Sequence, residues 1–233
     1  MKEAAIKING IPSIIWGEKS DKGIIAVHGN MSNKADIPIK IFAEKAVSKG
    51  YQVLSFDLPE HGDRKEEGIP CKVQYGVKDL RTIMAYAKGN WNELSLFANS
   101  LGAYFSLLAY KEEQLKKAWF LSPVVDMQRM IENMMKWFHV TEERLESEQA
   151  VPTPAGQMLY WDYYCYVKEH PVEAWKAPTS ILYGSRDDMC EIDTITKFTD
   201  AFSCSLKTLP EAGHYFHTPE QLAELEVWIS ETM

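Results

Sequence analysis

Few cysteines, no long apolar run and a shortage of positive charge bound what this chain does. Its 233 residues include only four cysteines, Cys71, Cys165, Cys190 and Cys204, and none forms a C-x-x-C pair. That spacing lacks the signature of a zinc or dithiol site, so reduced thiols, no metal and no cofactor are expected. Nowhere does the sequence approach the roughly 20 consecutive apolar residues of a membrane span. The first ten residues, MKEAAIKING, lack the apolar stretch of a signal peptide, which points to a cytoplasmic protein. Lys and Arg total 25 against 33 Asp and Glu, leaving a formal charge of −8. That sign repels polyphosphates and anionic membranes and argues against nucleic acid as a partner. There is also no internal repeat, low-complexity tract or Gly/Ser linker. A single domain over residues 1–233 is expected, long enough to bury a substantial core.

What is present is an alternation of short apolar runs with longer amphipathic stretches, the pattern of a mostly parallel sheet covered by helices. EAAIKING and IPSIIWGE read as an antiparallel hairpin turning at Asn9-Gly10. GIIAVHG, YQVLSFDLP, ELSLFANS, KKAWFLSP, TSILYGS and SLKTLP read as further strands. Between them, helical spacing appears from Pro38 to Gly50, from Lys72 to Lys88 and through LGAYFSLLAYKEEQ. The last helix is well marked, with Thr218 as N-cap, Pro219 at N1 and Gln221 completing a capping box. The rhythm fails only between Val124 and Lys176, where about fifty residues read as helices inserted into an open α/β sheet.

In such sheets ligands sit beyond the carboxyl ends of the strands, so the residues that follow each strand carry the chemistry. After GIIAVHG come Asn30 and Met31; after ELSLFA come Asn99, Ser100, Leu101 and Gly102. After TSILYG come Ser185, Arg186, Asp187 and Asp188; after SLKTLP come Glu211, Ala212, Gly213 and His214. A serine, an acid and a histidine thus occur at strand ends in the order Ser, Asp, His. A serine hydroxyl becomes a useful nucleophile only when a base accepts its proton, and that base needs an acid to orient it. The other reading of Ser100 is a serine that caps the helix after its strand. His214 lies in an Ala-Gly loop and suits the role of base, whereas His217 directly precedes the N-cap and suits packing on the first turn.

Several segments together resemble the α/β-hydrolase superfamily over nearly the whole length. ANSLG is similar to the nucleophile elbow G-x-S-x-G, with Ala98 in place of the first glycine. IIAVHGN resembles the strand and HG of the oxyanion loop. DLPEHGDR resembles the family's D-x-P-G-H-G-x-S segment, with Glu60 in place of a glycine. ILYGSRDD resembles the acid-bearing G-x-x-D, and EAGHYFHTPEQ the histidine loop. A fainter likeness points to small carboxylesterases and monoacylglycerol-lipase-like members. The resemblance implies Ser100 as nucleophile, His214 as base and Asp187, rather than its neighbour Asp188, as the orienting acid. It implies an oxyanion hole from the backbone N–H groups of Leu101 and Asn30, with Met31 as the near alternative. His28 and His61 match positions where the family braces loops, a role favoured here over metal ligation, and Asp57 would tie down its own loop.

The insertion, residues 124–176, falls where the family places a cap over the site. Met127, Met130, Ile131, Met134 and Phe138 recur at helical spacing in DMQRMIENMMKWFHV, as do Met158, Trp161, Tyr164 and Cys165 in QMLYWDYYCYV. Packing onto the sheet explains most of such faces. Methionines and aromatics also make adaptable apolar walls. The expectation is a small helical cap whose Met127, Met130, Met134 and Trp161 join Met31 around an acyl pocket. No convergent set of cations appears for a coenzyme tail, which favours a simple small-molecule ester as substrate. Thioesterase, lactonase, amidase or carbon–carbon bond hydrolase chemistry would use the same triad, and a non-catalytic ligand-binding relative is the alternative from another class. The exposed side of the cap could serve a homodimer.

Overall fold

The computed structural model describes residues 1–233. The chain opens with β1 (Glu3–Ile8) and β2 (Ile11–Trp16), an antiparallel pair in which Ile8 faces Ile11. The turn residues Asn9 and Gly10 both have positive φ, 46° and 88°, the twist-matched geometry that Asn-Gly favours. β3 (Lys22–Val27) is buried from Gly23 onward, as a central strand covered on both faces must be. There follow α1 (Ile37–Ser48), β4 (Gln52–Phe56), α2 (Val73–Asn90), β5 (Glu93–Asn99), α3 (Leu101–Ala109) and β6 (Ala118–Leu121). α3 ends well before Gln114, shorter than its amphipathic run suggested.

Residues 124–176 depart from the expected purely helical insertion. They contain α4 (Met127–Trp137) and α5 (Glu142–Glu148), then a hairpin of β7 (Ala150–Pro152) and β8 (Met158–Tyr160), then α6 (Trp161–Glu169). QMLYWDYYCYV is therefore not one helix: its first apolar residues pair with β7 in the order Ala150–Tyr160, Val151–Leu159, Pro152–Met158. The main sheet resumes with β9 (Thr179–Gly184) and closes with β10 (Ser205–Leu209) before α8 (Pro219–Thr232). Between them lies α7 (Ile192–Phe202), a helix that the sequence reading did not single out, which buries Ile195 and Phe198. The capping box of α8 is complete on both sides.

Eight strands form one sheet in the order β1-β2-β4-β3-β5-β6-β9-β10, parallel from β4 to β10. Helices cover both faces. One face holds a core of 17 buried residues under α1 and α8, with Phe42 stacked on Phe97 at 4.2 Å between ring centroids. The other holds 45 buried residues under α2, α3 and the insertion.

The register sets the position of the site. Val27 pairs with Ala98, Asn99 with Leu121, Leu121 with Leu182, and Gly184 with Leu209. The ends of these five strands thereby fall within three register positions of one another, and their loops emerge along one edge. The order in which strands are added also switches sides here, since β4 lies on one side of β3 and β5 on the other. A crevice at that switch point is where open α/β sheets bind ligands.

Candidate active site

Ser100 sits between β5 and α3 with φ 49° and ψ −116°, a conformation that L-residues adopt only at a cost of about 1–3 kcal/mol. Backbone bonds hold it there: its N–H donates to Leu121 O at 3.0 Å, and its carbonyl accepts from Val124 N–H at 3.1 Å. Two glycines allow the close approach. A Cβ on Gly102 would lie 2.5 Å from His28 O and 2.7 Å from Val27 O, so α3 meets the end of β3 only without a side chain there. A Cβ on Gly29 would lie 3.1 Å from Ser100 Cβ, so the loop after β3 runs directly against the serine.

Ser100, His214 and Asp187 stand in one hydrogen-bonded line. Ser100 Oγ is 2.8 Å from His214 Nε2, and His214 Nδ1 is 2.7 Å from Asp187 Oδ2. The other Asp187 oxygen accepts from the N–H groups of Met189 and Cys190, at 2.9 and 3.0 Å. The Asp187 side chain is fully buried and that of His214 is 3% exposed. With a carboxylate on Nδ1–H, the imidazole presents its Nε2 lone pair to the serine hydroxyl, the arrangement that accepts its proton. His217 lies outside this line; its Nδ1 is 2.9 Å from Tyr215 O and its N–H donates to Gln221, so it belongs to the α8 cap.

The Asp187 carboxylate, the Cys190 sulfur and the His214 imidazole lie within 4.8 Å of one another. Burial, then the adjacent Asp187 charge, pushes the Cys190 thiol up, so it stays protonated. A metal among these three groups would have to displace that proton and compete with Asp187 for His214.

Two neighbouring backbone N–H groups lack any partner within the protein. Leu101 is the first residue of α3, where no preceding turn offers an acceptor, and Asn30 follows Gly29 beside Ser100. Met31 N–H, by contrast, donates to His61 Nε2 at 3.0 Å. His61 Nδ1–H in turn donates to Pro59 O at 2.7 Å, so one imidazole links the loops after β3 and β4. His28 does the same deeper down, donating from Nδ1 to Gly29 O at 2.7 Å and accepting Leu58 N–H at Nε2 at 3.0 Å. Asp57 also ties two loops rather than its own alone: it accepts from Lys34 N–H, Lys34 Nζ and Asp63 N–H at 2.9, 2.6 and 2.9 Å.

Complete burial lowers the His28 pKa to about 4 from an ordinary 6.5, and a second proton would face the Leu58 N–H. Between about pH 6.5 and 4 the unfolded chain therefore takes up a proton that the folded chain refuses. Stability from this group is present above pH 6.5 and is lost as pH falls toward 4, by about 3 kcal/mol in all. Urea unfolding at pH 7 and pH 4.5 should show that loss. In His28→Gln, which keeps one donor and one acceptor, the corresponding part should vanish.

A cavity of about 760 Å³ opens above Ser100 and His214. Met31, Met127, Met130, Ile131, Met134, Met158 and Met189 line it, so six of the chain's ten methionines converge there. Trp161, expected among them, is outside; it starts α6 and packs on Tyr164, while Tyr160 and Tyr163 reach the cavity instead. Met31 stands at the mouth, 77% exposed and with φ 57°. Met158, singled out on the expected cap face, does line the cavity; sequence reasoning missed Glu60 and Lys65 as lining residues, and Ala155, Gly156, Gln157 and Leu159 of the hairpin, which complete the wall.

The strand order, the serine on its strained turn and the acid and histidine on the last two loops define the α/β-hydrolase fold. No family model matches the chain, and no curated protein matches it in sequence. Solved structures do. Est1E from Butyrivibrio proteoclasticus, in a structure with ferulic acid bound, is similar with a TM-score of 0.80 at 19% identity, over 98% of this chain and 96% of that one. Alpha/beta hydrolase domain-containing protein 10 from mouse gives 0.74 at 16% identity, covering 99% and 98%. An α/β serine hydrolase without lid from Xanthomonas campestris gives 0.68 at 15% identity, covering 99% and 93%.

Proposed function

We propose that the protein is a serine hydrolase that cleaves carboxylic esters of small or medium apolar acyl groups. The observation that carries this reading is the unbroken line from Ser100 Oγ through His214 to the buried Asp187. Ser100 Oγ attacks the ester carbonyl carbon as His214 Nε2 takes its proton. The carbonyl electron pair moves onto oxygen, and the unpartnered N–H groups of Asn30 and Leu101 receive that charge, with the α3 dipole behind Leu101. The tetrahedral intermediate collapses, His214 returns the proton to the departing alkoxide, and an acyl-serine remains. Water repeats the sequence, giving up a proton to His214 and releasing the acid. Met31 is the weaker oxyanion donor because its N–H already serves His61.

Residues 124–176 act as the cap, and Met127, Met130 and Met134 of α4 hold the acyl group. Thioethers on unbranched chains adapt to irregular apolar shapes and favour aromatic neighbours. Est1E, whose fold this chain shares, has been seen with ferulic acid, which agrees with an acyl side that admits a ring.

A fluorophosphonate probe should label the protein and fail to label Ser100→Ala. Hydrolysis of p-nitrophenyl esters from acetate to long chains should peak at intermediate length. Absence of labelling overturns the hydrolase reading, and a flat length profile overturns the acyl pocket.

A further inference from the structure

The two halves of the cavity differ in chemistry. α4 contributes Met127, Met130, Ile131 and Met134, whereas the loops after β3 and β4 contribute Asn30, Ser32, Asn33, Glu60, His61 and Lys65. Glu60 is the unusual member. It holds φ 64°, a left-handed value that suits glycine, at the position where the resembling segment has one. A non-glycine residue kept in such a conformation beside a site needs a reason.

Its side chain supplies one. Glu60 Oε2 accepts the Cys71 N–H at 2.6 Å, which fixes the carboxylate against the start of α2. Its other oxygen has no hydrogen-bond partner in the protein, and the residue lines the cavity. Lys65, on the same wall, has no carboxylate within ion-pair distance and adds an unused donor. A fixed acceptor and a donor in one cavity lining suit a neutral hydroxylated group. A cationic group is disfavoured: Lys65 lines the same cavity, and Lys72 Nζ already lies 4.1 Å from the centre of the Tyr160 ring, whose hydroxyl feels the Glu60 charge.

We propose that Glu60 is a specificity-determining residue that selects esters whose alcohol carries a free hydroxyl, accepting a hydrogen bond from it. This rests on the hydrolase reading, with the acyl group in the methionine half and the alcohol in the polar half.

The test compares glyceryl monobutyrate, n-propyl butyrate and butyrylcholine, which share one acyl group. In the wild type, kcat/KM for the glyceryl ester should exceed that for the propyl ester by about tenfold, as a hydrogen bond to a charged acceptor allows. Glu60→Gly removes the carboxylate while placing at φ 64° the residue that prefers it, and the ratio should fall to about one. In Glu60→Gln, which keeps the shape and loses the charge, the ratio should fall between the two. A wild-type ratio near one, a ratio unchanged in Glu60→Gly, or a dependence on Glu60 confined to the choline ester overturns the proposal. Calorimetric titration of Ser100→Ala with the glyceryl and propyl esters separates this from the parent reading. Preferential binding of the glyceryl ester that disappears on adding Glu60→Gly supports the role of Glu60 even if no ester is cleaved, and equal binding of both overturns it.

Discussion

Replacing Ser100 by Ala, or His214 by Ala, should lower kcat for an activated ester by a factor on the order of 10⁴ to 10⁶, to nearly the same residual rate. The two losses should be similar and not additive. Without His214 the serine keeps its proton, and without Ser100 the histidine has nothing to activate. A double variant should therefore be little worse than either single one. The residual rate reports what the N–H groups of Asn30 and Leu101 and the cavity contribute without the triad. Asp187→Asn should follow with a loss of about 10⁴-fold, because an amide N–H turned toward His214 Nδ1 selects the wrong tautomer. His217→Ala is the control. Its imidazole reaches only Tyr215 O, so activity should stay near wild type. Stopped-flow and steady-state assays of the four variants settle the assignment, and a crippled His217→Ala would transfer the role of base to that residue.

Gly102→Ala should be damaging far beyond the size of a single methyl. Inside an ordinary helix the change stabilises by about 1 kcal/mol. Here the new Cβ would meet the carbonyl oxygens of His28 and Val27 at 2.5 and 2.7 Å, and both belong to backbone that cannot swing aside. Either α3 moves off the sheet or the end of β3 shifts. Overpacking of that kind costs about 1–3 kcal/mol and occasionally more, so thermal melting should drop by several degrees. The activity should fall further than the stability. The same shift would separate Leu101 from Asn30 and loosen the contact of Gly29 with Ser100, disturbing the two N–H groups proposed as oxyanion donors while leaving the side chains of Ser100, His214 and Asp187 in place. A folded Gly102→Ala protein with wild-type kcat would show that this approach does not set the oxyanion geometry.

Much of the scaffold was legible because strand ends announce themselves. Asn9-Gly10 specified a tight turn, and GIIAVHG and ELSLFANS carried their polar residues just beyond the apolar run. The register then had to bring those residues together. The hairpin of β7 and β8 was hidden because three-residue strands are too short to display a period of two. α7 was less legible because its N-cap, Glu191, makes no side-chain capping bond and its buried face is limited to Ile195, Phe198 and Thr199. Trp161 illustrates a different limit. Helical spacing says which residues share a face, but not whether that face meets the core or a cavity, and the start of α6 at Trp161 turned the ring onto Tyr164. Glu60 was legible only as a departure from the resembling segment. Its use depends on a backbone angle and a distant Cys71 N–H.

The pairing of β6 with β9 has a consequence for how such a protein changes over generations. Leu121 ends β6, and Thr179, which opens β9, pairs with Ala118, so the segment between these parallel neighbours leaves the sheet at one edge and re-enters beside β6 at the other. Lengthening or shortening it alters one crossover without changing the strand order, at an entropic cost that grows only slowly with length. Ser100, His214 and Asp187 lie outside this crossover, while α4 and the β7–β8 hairpin lie within it. The proposed cap and the line from Ser100 to Asp187 thus occupy separate stretches of chain. The share of the cavity wall that residues 124–176 supply can be redrafted while that hydrogen-bonded line stays as it is.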